Sequence, residues 1–178
     1  NTAPCIAYAN YKIKAKNPDA VVVVAPSDHI ILKEDIFIDV ISKGLETVSE
    51  KDWLLTIGIH PSFPNTGYGY IQFNEDVAYE MNNTIYAVKT FTEKPSLEFA
   101  QQFIESGDFL WNAGIFVWNV KSIHKAFEEF LPEMTQEFVS CEYNSDRERI
   151  CIETIYPKVE KISIDNGILE KAQNVYVI

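Results

Sequence analysis

The segment Val21-Val-Val-Val-Ala-Pro-Ser-Asp28-His29 is a continuous β-branched run that stops at a proline and delivers a carboxylate and an imidazole. A run with no polar alternation reads as a buried parallel strand rather than a half-exposed one. From Glu34 to Asp52, residues Ile36, Val40, Ile41, Leu45 and Val48 then recur at helical spacing with polar residues between them, which predicts a crossover helix. Trp53 to Ile59 is a second apolar strand, so strand, helix and strand form one unit with parallel strands and a right-handed connection. Alternating strands and helices predict an α/β fold.

Further along, His60 to Ile71 packs two prolines and two glycines into a short span, the composition of a shaped loop leading into an exposed strand. Tyr86 to Thr92 alternates like a strand with one wetter face. Pro95-Ser96 then opens a helix with Ser96 as N-cap, lined by Leu97, Ala100, Phe103 and Ile104 and closed by Gly107. Trp111 to Trp118 is another strand, Lys121 to Leu131 and the charged region from Asp146 to Ile155 are helical, and a short helix over Asp165 to Ala172 precedes a last strand, Asn174 to Ile178. The chain opens on Asn1 rather than a methionine and stops on an apolar strand. We therefore expect residues 1–178 to be the central part of a single domain, truncated at both ends.

Composition narrows the partners. With 178 residues and 47% hydrophobic content the chain can bury a real core. Fifteen Lys+Arg against 26 Asp+Glu leave a net charge of -11, which argues against a nucleic-acid backbone as partner while leaving room for a single nucleotide held by one lysine and a divalent ion. No stretch has the length of a membrane span and no signal peptide is visible, so a cytoplasmic, membrane-free protein is expected. Cys5, Cys141 and Cys151 lack metal-type spacing and read as reduced thiols. Asn82-Asn83-Thr84 matches a glycosylation acceptor, a chance match in a chain with no export signal.

Asp28, just past a strand's carboxyl end, stands where open α/β sheets place a metal or phosphate ligand, and equally where an acid caps a following helix. Thr92-Glu93-Lys94-Pro95 ends a strand with a carboxylate suited to sugar hydroxyls and a lysine suited to a phosphate; the plain alternative is a solvated surface pair. Alternation puts Glu93 and Lys94 on opposite sides unless the strand twists at its end. Gly67 and Gly69 let the backbone approach a ligand or bend a strand, and Asn112 presents an amide to a hydroxyl or caps a turn. His29, His60 and His124 are scattered without zinc spacing, and neither a G-x-S-x-G elbow, a Walker A loop nor a G-x-G-x-x-G fingerprint occurs.

Taken in order, Asn-Thr-Ala-Pro at 1–4, Pro-Ser-Asp-His at 26–29, Thr-Gly-Tyr-Gly-Tyr-Ile at 66–71, Glu-Lys-Pro at 93–95, Trp-Asn-Ala-Gly-Ile-Phe at 111–116 and Ser-Ile-Asp at 163–165 form a series that resembles the mannose-1-phosphate guanylyltransferases of the sugar-nucleotidyltransferase superfamily. The resemblance spans essentially the whole chain. It implies a Rossmann-like three-layer α/β/α fold with a mixed, mainly parallel sheet, and transfer of a guanylyl group from GTP to mannose 1-phosphate with Mg2+ as the divalent ion. It further implies that Asp28 binds metal, that Gly69, Glu93 and Asn112 hold the sugar, that Lys94 contacts the sugar phosphate, and that Asn1, Thr2 and Ser27 lie on the nucleotide side.

The departures are as informative. That family's glycine-rich, basic opening loop and its second metal aspartate have no counterpart here, so the chain is expected to fold around the acceptor half-site without turning over alone. Other readings are a nucleotidyltransferase for another sugar 1-phosphate, a bifunctional protein with a phosphomannose isomerase domain, and a non-catalytic binding or regulatory module; a homodimer is an assembly that the residues leave open.

Overall fold

A computed structural model describes residues 1–79 and 85–178; the Asn82-Asn83-Thr84 acceptor match lies outside them. The chain divides into two compact units, one formed by residues 23–117 and 174–178 and the other by residues 1–22 and 118–173.

The first unit is built on a sheet. Its elements are β1 (Val21–Val24), α1 (Glu34–Glu50), β2 (Leu54–Ile59), β3 (Tyr70–Tyr79), β4 (Ile85–Thr92), α2 (Leu97–Ser106), β5 (Phe109–Asn119) and β6 (Val175–Val177). The strand order is β1-β5-β2-β6-β4-β3, and β3 pairs in addition with β5. The sheet is mixed: β2 and β6 run parallel, whereas β3 with β4, β3 with β5, and β4 with β6 are antiparallel. The resemblance implied a mixed sheet, and the pairings are of both kinds.

The expected crossover helix forms as α1, and Gly44 lets it approach the sheet closely: a β-carbon there would lie 3.1 Å from Leu55 Cδ2. Two expectations change. The valines of β1 are only half-buried, because β1 stands at the end of the strand order, and β5 intervenes between β1 and β2. Nor is β3 exposed at its start, where Tyr70 and Ile71 are fully buried. Tyr70 packs with Ala100, Phe109 and Trp111 beneath α2. Ile71 faces the other way, onto Phe73, Leu110 and Val177. Helix α2 keeps its predicted ends, with the Ser96 hydroxyl accepting from the Phe99 N–H at 3.4 Å and Gly107 left-handed at φ 82°.

The second unit is helical. The chain's opening, read from sequence only as a motif, is a 15-residue helix, α3 (Thr2–Lys16), followed by α4 (Val120–Phe130), α5 (Pro132–Val139), α6 (Glu148–Ile155) and, where a short helix was expected over Asp165 to Ala172, a single π-helical turn, Asp165–Leu169. Pro4 is tolerated inside α3 because first-turn N–H groups have no intrahelical acceptor. Ala3, Ile6, Ala7 and Tyr11 form its buried stripe. The stripe packs on α4 and α5.

Glu148 ties this unit together. It is 6% exposed, and its carboxylate accepts from Lys12 Nζ at 2.6 Å, from the Tyr8 hydroxyl, and from the Asn144 N–H at 2.7 Å. These donors, Lys12 first, hold its carboxyl down to about 2. Beside it Cys141 and Cys151 form a disulfide with a Cα–Cα separation of 5.8 Å, which corrects the expectation of reduced thiols. The turn between α5 and α6 brings the two cysteines within bonding range, a proximity their count could not reveal. Cys5 is free and exposed.

Candidate functional site

Three neighbouring strands meet at the site. The register pairs Ile71 with Phe91 of β4 and with Leu110 of β5. Two residues toward the start of β3 on the same face, the antiparallel pattern sets Gly69 between Glu93 on one side and Asn112 on the other. The distances agree: the Asn112 N–H donates to the Gly69 carbonyl at 2.9 Å, and a β-carbon on Gly69 would lie 2.8 Å from Glu93 Oε2 and 3.6 Å from Asn112 Cβ. The missing side chain in the middle strand makes a notch, with a carboxylate on one wall and a carboxamide on the other.

The back of the notch is braced. Trp111, adjacent to Asn112 in β5, turns to the opposite face, where Phe63 and Tyr68 meet its ring edge-on at 5.2 and 5.1 Å. The Tyr70 hydroxyl accepts from the Asn65 N–H and donates to the Asn65 carbonyl, both at 3.0 Å, and Asn65 Oδ1 accepts from the Gly67 N–H at 2.7 Å. The proline- and glycine-rich span is therefore the shaped loop its composition predicted.

Lys94 joins the notch through its backbone. Alternation would send it to the face opposite Glu93, yet its φ of 44° is left-handed, a conformation uncommon for any residue with a β-carbon. The resulting turn places Lys94 Nζ 3.1 Å from Glu93 Oε1. With side chains 65% and 44% exposed the pair is a weak surface ion pair, so both charges remain accessible to a ligand. Backbone strain of this kind gathers at functional sites.

Asn112 Oδ1 accepts from the Gly114 N–H at 3.0 Å and from Thr56 Oγ1 at 3.4 Å. Gly114 is left-handed at φ 66°, and a β-carbon on it would lie 3.9 Å from Pro26 Cγ. The loop that carries Ser27 and Asp28 thus begins against Gly114, where β5 takes its left-handed kink. Both residues are exposed. Among the described residues, no group of three acidic, histidine or cysteine side chains converges to hold a metal. A single exposed carboxylate nonetheless suits Mg2+, which usually takes one or two carboxylates and completes its shell with water and substrate phosphates.

Asn1 and Thr2 belong to the helical unit, and their polar groups have local structural partners. Asn1 Nδ2 donates to the Lys161 carbonyl at 2.7 Å, and Thr2 Oγ1 accepts from the Ile164 N–H at 2.9 Å. These bonds tie the start of α3 to the segment before the π-helical turn. Of the site residues read from sequence, the structure therefore brings Gly69, Glu93, Lys94 and Asn112 together. Thr56, Pro26 and Gly114 were missed; only the glycine in Trp-Asn-Ala-Gly signalled a special backbone conformation there.

The nucleotidyl transferase family model matches residues 1–148, and the chain belongs to that family. Among characterised relatives, the mannose-1-phosphate guanylyltransferase of Escherichia coli K12 is 31% identical over 183 aligned residues, covering 100% of this chain and 38% of the relative. That of Sinorhizobium fredii NGR234 is 34% identical, covering 100% of this chain and 35% of the relative. The chain thus spans little more than a third of the length of these relatives. Two solved structures share its fold across its full length. The "mannose-1-phosphate geranyltransferase" of Thermus thermophilus superposes with a TM-score of 0.83 at 27% identity, with 49% of that chain covered. The mannose-6-phosphate isomerase of Helicobacter pylori gives 0.78 at 26% identity, with 67% covered.

Proposed function

We propose that the protein carrying this chain is a mannose-1-phosphate guanylyltransferase that converts GTP and mannose 1-phosphate to GDP-mannose and pyrophosphate, and that the notch at Gly69 is its acceptor half-site. The observation that carries this reading is the convergence of Glu93, Lys94 and Asn112 around a glycine. The Glu93 carboxylate accepts from sugar hydroxyls, Asn112 supplies an amide to the same ring, and Lys94 sets a positive charge beside the sugar's phosphate. Gly69 itself brings no side chain between the ring and the sheet, so the ring meets the Glu93 carboxylate and the Asn112 amide instead.

Held this way, a phosphate oxygen of mannose 1-phosphate attacks the α-phosphorus of GTP in line, and pyrophosphate leaves. No protein nucleophile is needed; catalysis rests on positioning and on neutralising charge. When bound, Mg2+ supplies further neutralisation of the phosphate oxygens, and Asp28 is the residue that would hold it. Ser27, Asn1 and Thr2 are assigned to the nucleotide side, in a three-layer Rossmann-like domain. The substrates, GTP and a sugar phosphate, suit a cytoplasmic enzyme.

The test is an assay of the full-length protein with GTP, Mg2+ and either mannose 1-phosphate or glucose 1-phosphate, following pyrophosphate release and the sugar nucleotide formed. GDP-mannose formation is the expected result. Turnover restricted to glucose 1-phosphate would reassign the sugar, and none with either would remove the reading.

A further inference from the structure

We infer that Thr56 is a positioning residue for the sugar site, acting through Asn112. Thr56 lies in β2, which neighbours β5 in the sheet, and it is fully buried at 0% exposure. A buried hydroxyl needs an acceptor. Two lie within its reach on β5, Asn112 Oδ1 at 3.4 Å and the Ile115 carbonyl at 3.5 Å. Asn112 Oδ1 is also held by the Gly114 N–H at 3.0 Å. Donors from two directions converge on one oxygen of the carboxamide. The amide therefore sits with its oxygen turned toward β2 and Gly114, and a 180° flip would set its NH2 group against the Gly114 N–H, which can only donate, and would cost Thr56 one of its two acceptors.

The consequence is a division of chemistry across the notch. With its Oδ1 occupied by Gly114 and Thr56, Asn112 turns the NH2 end of its carboxamide to the notch, while Glu93 is an acceptor-only carboxylate. In the proposed function these two ends meet an oxygen and a hydroxyl proton of the sugar. This deepens the proposed function and rests on it for the identity of the ligand, but the orientation of Asn112 is a property of the protein itself.

The experiment substitutes Thr56→Val, which keeps the shape and removes the hydroxyl, and Thr56→Ser, which keeps the hydroxyl. In the full-length protein, Thr56→Val is expected to raise KM for mannose 1-phosphate about fivefold, the factor that one neutral hydrogen bond of about 1 kcal/mol supplies. KM for GTP stays in place, and Thr56→Ser restores the original value. Independently of activity, the side-chain amide resonances of Asn112 in 15N-labelled protein shift in Thr56→Val and return in Thr56→Ser. Unmoved Asn112 resonances overturn the inference whatever the enzyme does. A Thr56→Ser variant that fails to restore KM and resonances also overturns it, by reducing Thr56 to a packing residue. If the unsubstituted protein makes no GDP-mannose, the proposed function falls, and the resonances alone decide the role of Thr56.

Discussion

Gly69 and Glu93 stand so close that a β-carbon at position 69 would lie 2.8 Å from the Glu93 carboxylate, closer than real β-carbons approach a neighbour. The clash is with the far end of a flexible side chain, so the sheet survives it and the carboxylate does not keep its place. Gly69→Ala is expected to fold and to raise KM for mannose 1-phosphate at least about tenfold, about 1.4 kcal/mol of lost binding. Steady-state kinetics beside a thermal melt check both halves.

Lys94 is placed by an unusual backbone, and the proposed function draws on its charge alone. Lys94→Ala is expected to lower kcat/KM by well over tenfold, more than about 1.4 kcal/mol of transition-state stabilisation. A loss smaller than that would remove the phosphate role assigned to it.

Much of this site was legible because its residues stand at strand ends marked by local signals. Ser96 and Gly107 announced the bounds of α2, and Pro95 showed where β4 had to stop. Other features arise from partners remote in sequence. Glu148 meets Lys12 across 136 positions and Tyr8 across 140, and no local pattern encodes such a meeting. The left-handed turn at Lys94 was hidden for a different reason: lysine before proline carries no preference for it. Helix α3 does have a local signal, since Ala3, Ile6, Ala7 and Tyr11 recur at helical spacing, but that signal is weaker than the motif at its start. The half-burial of β1 was not readable, because four valines look the same in the middle of a sheet and at the end of its strand order.

The Glu148 cluster sets an acid limit on the fold. Its carboxyl is held near 2 against an ordinary value of 4.5, so the stabilisation is complete above the ordinary value and is lost as pH falls through the window between them. Thermal midpoints measured from about pH 7 down to pH 2 should drop through this window. In Glu148→Gln the midpoint at neutral pH should be lower and the drop shallower.

The disulfide between Cys141 and Cys151 closes a short loop, the two residues being 10 apart in sequence. Chain-entropy reasoning assigns such a loop about 2.7 kcal/mol. Urea unfolding with and without a phosphine reductant should differ by roughly that amount, and Cys151→Ser should make the protein indifferent to the reductant. Equal curves for the untreated and reduced forms would show that the bond adds nothing to stability.

Strand β5 presents Trp111 to one face and Asn112 to the other, with the Asn112 N–H pinned to the Gly69 carbonyl. Inserting or deleting a single residue ahead of Asn112 would exchange the indole for the amide, emptying the notch of its carboxamide and pushing a large ring into it. Divergence at this site is thus open to point substitution and closed to changes of length: descendants of this chain can acquire a new ligand by altering which residues line the notch, but not by altering how many residues β5 contains.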